Sequence, residues 1–512
     1  MASMQPDPKS LAEAIDLYQE HLKDAGDLYS FDISGLDRIG IPVKIAALRS
    51  PDGFWNDGFG YGGSADEALV GALGEMTETY HTHRALQRTP AAEGLSYAAM
   101  VKKFGADHVI DPLTLCLSAG YPYHSELPLR WVAVSRYPDG GRCWAPRETV
   151  APSGASYATN SEQVAAETGQ QAAQLFPAIT CGLGAGRDLS SALAHGVLEL
   201  IQRDGNCTAF RAMDCGIDLQ LDEVGSDEIL KTISFLESQG LRIRPKLAST
   251  EFGLVNLYVI AEPLDPSAYD EPFPLLATAC GEAVHANRER ALRKALQEYL
   301  GSRCRKCFMH GPLDRIERIV PPAYRQLIEA VDPAEEEPRA LEEMVGWLQR
   351  SVPELRRMLR DTVFSSRETV SFSQLPSASD TDLVDPGARL KDVATRLASQ
   401  DLSIYYLDAS PVGDDGPRVV KAFTPGLEGE TLSYWRIGER GARRMLAREV
   451  AFVTQKPPSC QSLEVLLSPA AKERLGGPVY FQTMPWEQAL RDHYPLYREP
   501  SSHAAAKRLA QR

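Results

Sequence analysis

No stretch among the 512 residues approaches the roughly 18 to 20 consecutive apolar residues that a membrane-spanning helix requires. The opening residues, Met1-Ala-Ser-Met-Gln-Pro-Asp-Pro, lack the basic segment and apolar run of a secretory signal, so a cytoplasmic location is expected. Positive charge is in deficit: 54 Lys and Arg against 69 Asp and Glu leave a net charge of -15, which disfavours nucleic acid or an anionic membrane as the main partner. Cysteine is sparse, at nine scattered positions. An odd number in so long a chain does not read as a disulfide framework, and most are expected to be buried small apolar residues. There is no Gly-x4-Gly-Lys-Ser/Thr phosphate loop and no Gly-x-Ser-x-Gly nucleophile elbow, which disfavours a standard P-loop enzyme or an α/β-hydrolase.

What is present is a composition close to the globular average, 43% hydrophobic and 24% charged, in a chain long enough for two or three domains or one large one. Apolar positions at helical spacing predict a leading helix over 10–26, and clusters of β-branched and aromatic residues predict strands over 41–48, 129–135 and 254–260. Long helical patterns alternate with them, so the expected class is mixed α/β. From Pro312 to Val363 the pattern turns helical and charged, which reads as an inserted helical pair; Glu335-Glu336-Glu337 there suits a helix start. The turn-rich stretch 377–387 reads as a linker, 391–398 as a helix, 402–407 as a strand, and the tail from Ser501 as frayed. The expected organisation is thus a helical segment over 1–30, a core over 31–311, an insertion over 312–375, a continuing core over 376–500 and a flexible tail over 501–512.

The chain also repeats itself. Gly60-Tyr-Gly-Gly leads into Ala68-Leu69 and on to Glu75 and Glu78; Gly184-Ala-Gly leads into Ala192-Leu193 and on to Glu199; Gly281 leads into Ala291-Leu292 and on to Glu298. In each copy the glutamate follows the alanine by seven residues, close to two helical turns, so both lie on about the same side of a helix whose small residues let another backbone approach. That geometry points the acids toward a packed interior. Carboxylates brought together need compensating cations, and a magnesium-bound nucleotide supplies them through oxygen ligation. The glycine-rich approaches, Gly58 to Gly63 and Gly182 to Gly186, suit backbone N–H groups near phosphate. One helical glutamate followed by arginine a turn later is commonly just a solvated ion pair. Three copies at one interval favour a shared site.

These segments resemble the YcaO family, whose helices carry Ser-x3-Glu-x2-Glu-Arg, a Gly-Leu-Ala-Ala-Gly turn followed by Glu-x-Ile-Glu-Arg-Asp-Ala, and Ala-Leu-x-Arg-Ala-x-x-Glu. Gly182 to Gly205, containing Leu198-Glu-Leu-Ile-Gln-Arg-Asp-Gly, is the most specific match, while Leu36 to Pro42 and Lys421 to Glu428 resemble the family's opening and closing elements. The resemblance implies a fold of repeated sheet-and-helix units around a central nucleotide site. It also implies ATP and Mg2+ as cofactors, with Glu75, Glu78, Glu199 and Glu298 holding the metal. Ser64, Gln202, Arg203 and Arg303 would join them at the nucleotide, the arginines meeting phosphate charge.

The implied chemistry is phosphorylation of a backbone amide oxygen in a ribosomally made peptide, then its displacement by a nucleophile to give an azoline, thioamide or amidine. No catalytic base is assigned. The partners implied are the precursor peptide, a separate leader-binding or accessory protein, and a second copy in a homodimer. Tyr61 stands where the family usually has Lys, Gly71 where it has Ser, Thr79 where it has Arg, Gln202 where it has a second Glu and Gly301 where it often has Gln. Those departures motivate an alternative, a peptide-binding subunit without ATP turnover. The Lys507 to Arg512 ending differs from the proline-rich terminus of azoline-forming relatives.

Other constellations weigh less. Cys304-x2-Cys307-x2-His310 has zinc-like spacing but no nearby second pair, so buried thiols are expected. His81 and His83 read as a solvated helix end, and His195, one turn before Glu199, as either an orienting partner or an interior histidine.

Overall fold

The computed structural model describes residues 8–152, 173–209, 216–266, 271–379, 385–413, 415–429, 435–456 and 462–512. It confirms a mixed α/β chain, divided into two compact units: residues 1–76, 209–379 and 489–512 form the first, and 77–208 with 380–488 the second. The expected segmentation differs, because both units are assembled from separated stretches and the division falls inside the helix Ala65–Arg88. Among the described residues no helix is long and apolar enough to cross a membrane.

The first unit holds two sheets. Strands Asp27–Asp32, Val43–Arg49 and Trp55–Tyr61 form an antiparallel sheet in that order. The other runs Gly281–His285, Val255–Pro263, Leu241–Ser249, Ile217–Gln220 and Glu368–Ser371, antiparallel except at its last pair. The expected strand over 254–260 is one of the three inner strands of this sheet, and its run of apolar side chains is buried throughout, as a strand covered on both faces requires. In place of a helical pair, the charged stretch after Pro312 forms four helices, Leu313–Ile316, Pro322–Ala330, Pro338–Leu348 and Val352–Met358. Prolines at the first turns of the last three divide them, since proline starts a helix readily and interrupts one that precedes it.

The second unit is built on a sheet ordered Ala91–Ser96, Pro128–Arg136, Tyr405–Asp408, Arg418–Phe423 and Leu183–Gly186, with Arg142–Pro146 also paired to Pro128–Arg136. The expected helix over 391–398 belongs to Pro386–Ala398, and the expected strand over 402–407 appears as Tyr405–Asp408. Residues 380–384 of the expected linker lie outside the described residues.

The terminus expected to fray is instead a helix, Ala504–Ala510, with Ala504 and Ala505 fully buried in the core of the first unit. His503 leads into it, its ring edge-on to Phe308 with centroids 4.9 Å apart and its Nε2 3.4 Å from the Tyr324 hydroxyl. Burial, reinforced by the charges of His310 and Lys507, lowers its pKa to about 3. The folded state therefore refuses a proton that the unfolded chain accepts below about pH 6.5. Stability is expected to fall with acid between those two values, by about 2 kcal/mol from pH 6.5 to 5. Denaturant titrations at both pH values check this: a His503→Phe variant should lose that much less on acidification.

Candidate functional site

Each of the three glutamate helices begins at a side-chain cap. The Ser64 hydroxyl accepts from the Glu67 N–H, Asp188 from the Ser191 N–H at 2.8 Å, and Asn287 from the Arg290 N–H at 3.0 Å. Glu75, Glu199 and Glu298 all lie eleven residues beyond their caps, three turns along the helices Ala65–Arg88, Leu189–Ala209 and Arg288–His310.

All three then do the same thing. Glu75 accepts from the Phe59 N–H at 2.8 Å, Glu199 from the Gly182 N–H at 2.9 Å and Glu298 from the Glu282 N–H at 3.0 Å. The donors lie 16 or 17 residues upstream, in or just before the strand that feeds each helix. Glu78, one turn after Glu75, accepts from the Ala185 N–H at 2.9 Å. A bond from a backbone amide to a carboxylate is charge-assisted and fixes the acid's position while leaving oxygen lone pairs for another ligand.

Glycine makes this approach possible. A Cβ built on Gly60 would lie 1.9 Å from the Ala68 carbonyl oxygen, one on Gly184 2.1 Å from that of Ala192, and one on Gly281 2.1 Å from that of Ala295. The glycine stretches expected to cradle phosphate thus serve chiefly to seat strand on helix, and the Phe59 and Gly182 amides within them are spent on glutamates. The acids also differ from the expected interior placement: Glu75 is exposed, and Glu78, Glu199 and Glu298 are half-buried.

Within the first unit Tyr61 stands in the electrostatic range of both Glu298 and Glu75; burial and then those two charges raise its phenol well above the usual range, so it stays protonated. Its ring occupies the space beside Gly301, where a Cβ would come 2.7 Å from the ring. Tyr61 and Gly301 are thus in contact, the ring filling the space that a side chain at 301 would need. Gly71 has a similar cause, because a Cβ there would lie 3.1 Å from the Gly60 Cα. Gly301→Gln is expected to cost about 1–3 kcal/mol through overpacking against Tyr61, and Tyr61→Ala should recover much of that loss in the double variant. Denaturant unfolding of the two single variants and the double variant checks it.

Arg303 is not placed to meet phosphate. Its guanidinium is fully buried, with Nε and Nη2 donating to Asp37 at 2.7 and 3.0 Å, and Nη1 and Nη2 to Glu271 at 3.0 Å each. Nη1 also reaches the Tyr299 hydroxyl at 3.4 Å, which engages all five donors. Two residues on, Arg305 is exposed, with its guanidinium 4.9 Å over the Phe59 ring and its charge acting on the Tyr61 phenol. Spacing alone did not distinguish the two, since positions two apart face opposite sides of a helix.

Within the second unit Arg203 pairs with Glu199 at 3.5 Å, both partly exposed, and Gln202 is half-buried beside it. The next residue, Asp204, is buried and held by Arg440 and Arg444; burial raises its carboxyl, but the two arginines outweigh that and lower it. Asp204 also accepts from the Glu428 N–H at 2.9 Å, tying the middle motif to the closing one. His195 is exposed, while His81 and His83 are buried inside the continuing helix rather than at a solvated end. Cys304 and Cys307 are buried thiols raised mainly by that burial. No group of three or more potential metal-ligating His, Cys, Asp or Glu side chains is assembled among the described residues.

Each of the three repeats thus fixes one carboxylate on a backbone amide near the start of the preceding strand or within it. A family model described as YcaO cyclodehydratase, ATP- and Mg2+-binding, matches residues 59–428, and the chain belongs to this family of ATP-dependent peptide-modifying proteins. The chain is 24% identical over 454 residues to an uncharacterised protein of Methanothermobacter thermautotrophicus, covering 85% of this chain and 99% of that one. Its fold is similar to that of YcaO from Methanopyrus kandleri bound with AMPPCP and Mg2+, with a TM-score of 0.53 and 18% identity, covering 84% of this chain and 93% of that one. It is also similar to a heterocyclase in complex with substrate and cofactor, with a TM-score of 0.56 and 13% identity, over 83% of this chain and 54% of that one.

Proposed function

We propose that this chain activates a backbone amide of a ribosomally made peptide. ATP supplies the phosphoryl group; the amide oxygen takes it, and an incoming nucleophile expels that oxygen as phosphate, leaving an azoline, thioamide or amidine. An amide carbonyl is a poor electrophile and its oxygen a poor leaving group, and phosphorylation corrects both. Glu75, Glu78, Glu199 and Glu298 would hold Mg2+, for which carboxylate oxygens are fitting donors. Ser64, Gln202 and Arg203 would flank the nucleotide, and Arg305 would meet phosphate charge while Arg303 positions the helix that carries Glu298.

The observation carrying this reading is the repeated glutamate anchored to a strand amide. The contact between Tyr61 and Gly301 favours a repacked site over a decayed one. We further propose a cytoplasmic homodimer working with a separate leader-binding protein, on the strength of the family resemblance. Mass spectrometry of a candidate precursor incubated with the protein, its accessory protein and Mg-ATP tests the reaction. Loss of one water is expected for cyclodehydration, and a gain of sulfur minus oxygen for thioamide formation in the presence of a sulfur donor. An unchanged peptide with ATP untouched would favour the non-catalytic subunit instead.

A further inference from the structure

A cleft of about 480 Å³ lies in the first unit, at the open end of the hairpin formed by Leu241–Ser249 and Val255–Pro263, beside the helix Val352–Met358. That volume suits a small ligand or a few residues of a peptide. Four arginines line it, Arg242, Arg356, Arg357 and Arg360, against one acid, Glu262. This is a concentration of positive charge on a chain whose net charge is -15.

Glu262 is shared between Arg242 at 3.8 Å and Arg244 at 3.5 Å, and Arg244 is itself bound to Asp218 at 2.7 Å. On the helix that carries Arg356 and Arg357, Glu354 accepts from the Ser351 N–H at 2.8 Å and closes the capping box, and it also stands in the field of Arg357, so Glu262 and Glu354 offset part of the cleft's charge. Arg356 lies with its guanidinium 5.3 Å over the Phe364 ring, which gives the cleft an apolar wall beside its charges.

We propose that this cleft binds an acidic segment of the peptide substrate, with carboxylates on the arginines and an apolar side chain against Phe364. The proposal rests on the peptide-modifying reading and adds to it a contact on this chain itself, separate from any grip on the leader by a partner. A long polyanion is a poorer occupant, because the remaining surface repels it, whereas two or three carboxylates need only the cleft.

Fluorescence anisotropy with a fluorescein-labelled Asp-Leu-Glu-Asp-Leu-Glu peptide tests it, against the matching Asn-Leu-Gln-Asn-Leu-Gln peptide. Saturable binding of the acidic peptide is expected, weakened by added salt. Binding should fall about tenfold or more in Arg356→Gln/Arg360→Gln, since the charged hydrogen bonds to the peptide's carboxylates would be lost. Arg242→Gln, at a side chain 63% exposed, should weaken binding without disturbing packing. Equal binding of the acid and amide peptides, unchanged affinity in both variants, displacement by equimolar inorganic phosphate, or tighter binding of a single-stranded RNA hexamer would each overturn the proposal. Mg-ATP titrations on the same proteins separate the two readings: nucleotide binding that persists while peptide binding fails sinks the cleft alone.

Discussion

Arg303→Met is expected to cost the first unit about 3–5 kcal/mol, because it strands two carboxylates in the core. Asp37 and Glu271 have side chains 1% and 0% exposed, and the guanidinium between them supplies the neutralising charge. Water cannot replace it there. Urea titration of the variant should show a markedly lower midpoint, whereas Arg305→Ala, at an exposed position, should leave the midpoint nearly unchanged. Removing all three charges, as Arg303→Met/Asp37→Asn/Glu271→Gln, should recover part of the loss. A single variant as stable as the wild type would show that the triad carries no structural weight.

The second large effect is expected at the repeated acids. Glu75→Gln and Glu199→Gln keep the side-chain shape and can still accept from Phe59 and Gly182, so unfolding midpoints should move little. Each removes one negative charge from the proposed cation site. Changes in the shell around bound metals typically cost 10–100-fold, so loss of a direct ligand should weaken Mg-ATP binding by about 100-fold. Turnover should fall at least in proportion. The contrast with Arg303 is diagnostic: one substitution should remove stability and the others nucleotide.

Much of this arrangement was legible in the sequence. The Ala-Leu to Glu interval marked three equivalent helices, and the structure adds that Ser64, Asp188 and Asn287 cap them at one common distance from the acids. Strands with clustered β-branched residues also emerged near their expected places. What escaped depended on contacts far apart in the chain. Arg303 was misread because its partners lie at Asp37 and Glu271, and a helical pattern does not show what covers each face. Ala504 to Ala506 resemble a fraying end until Phe308 and Tyr324 are seen to provide a core for the helix they begin. The Tyr61 and Gly301 departures looked independent for the same reason, since 239 intervening residues hide the contact between them.

Calorimetric titration of Mg-ATP into the wild-type chain and into Glu75→Gln is the most direct measurement of nucleotide binding by these glutamates. Saturable binding to the wild type, abolished by excess EDTA and strongly weakened in the variant, is the predicted result. Heats indistinguishable from dilution in folded wild-type protein, or equal affinity in the variant, would contradict it.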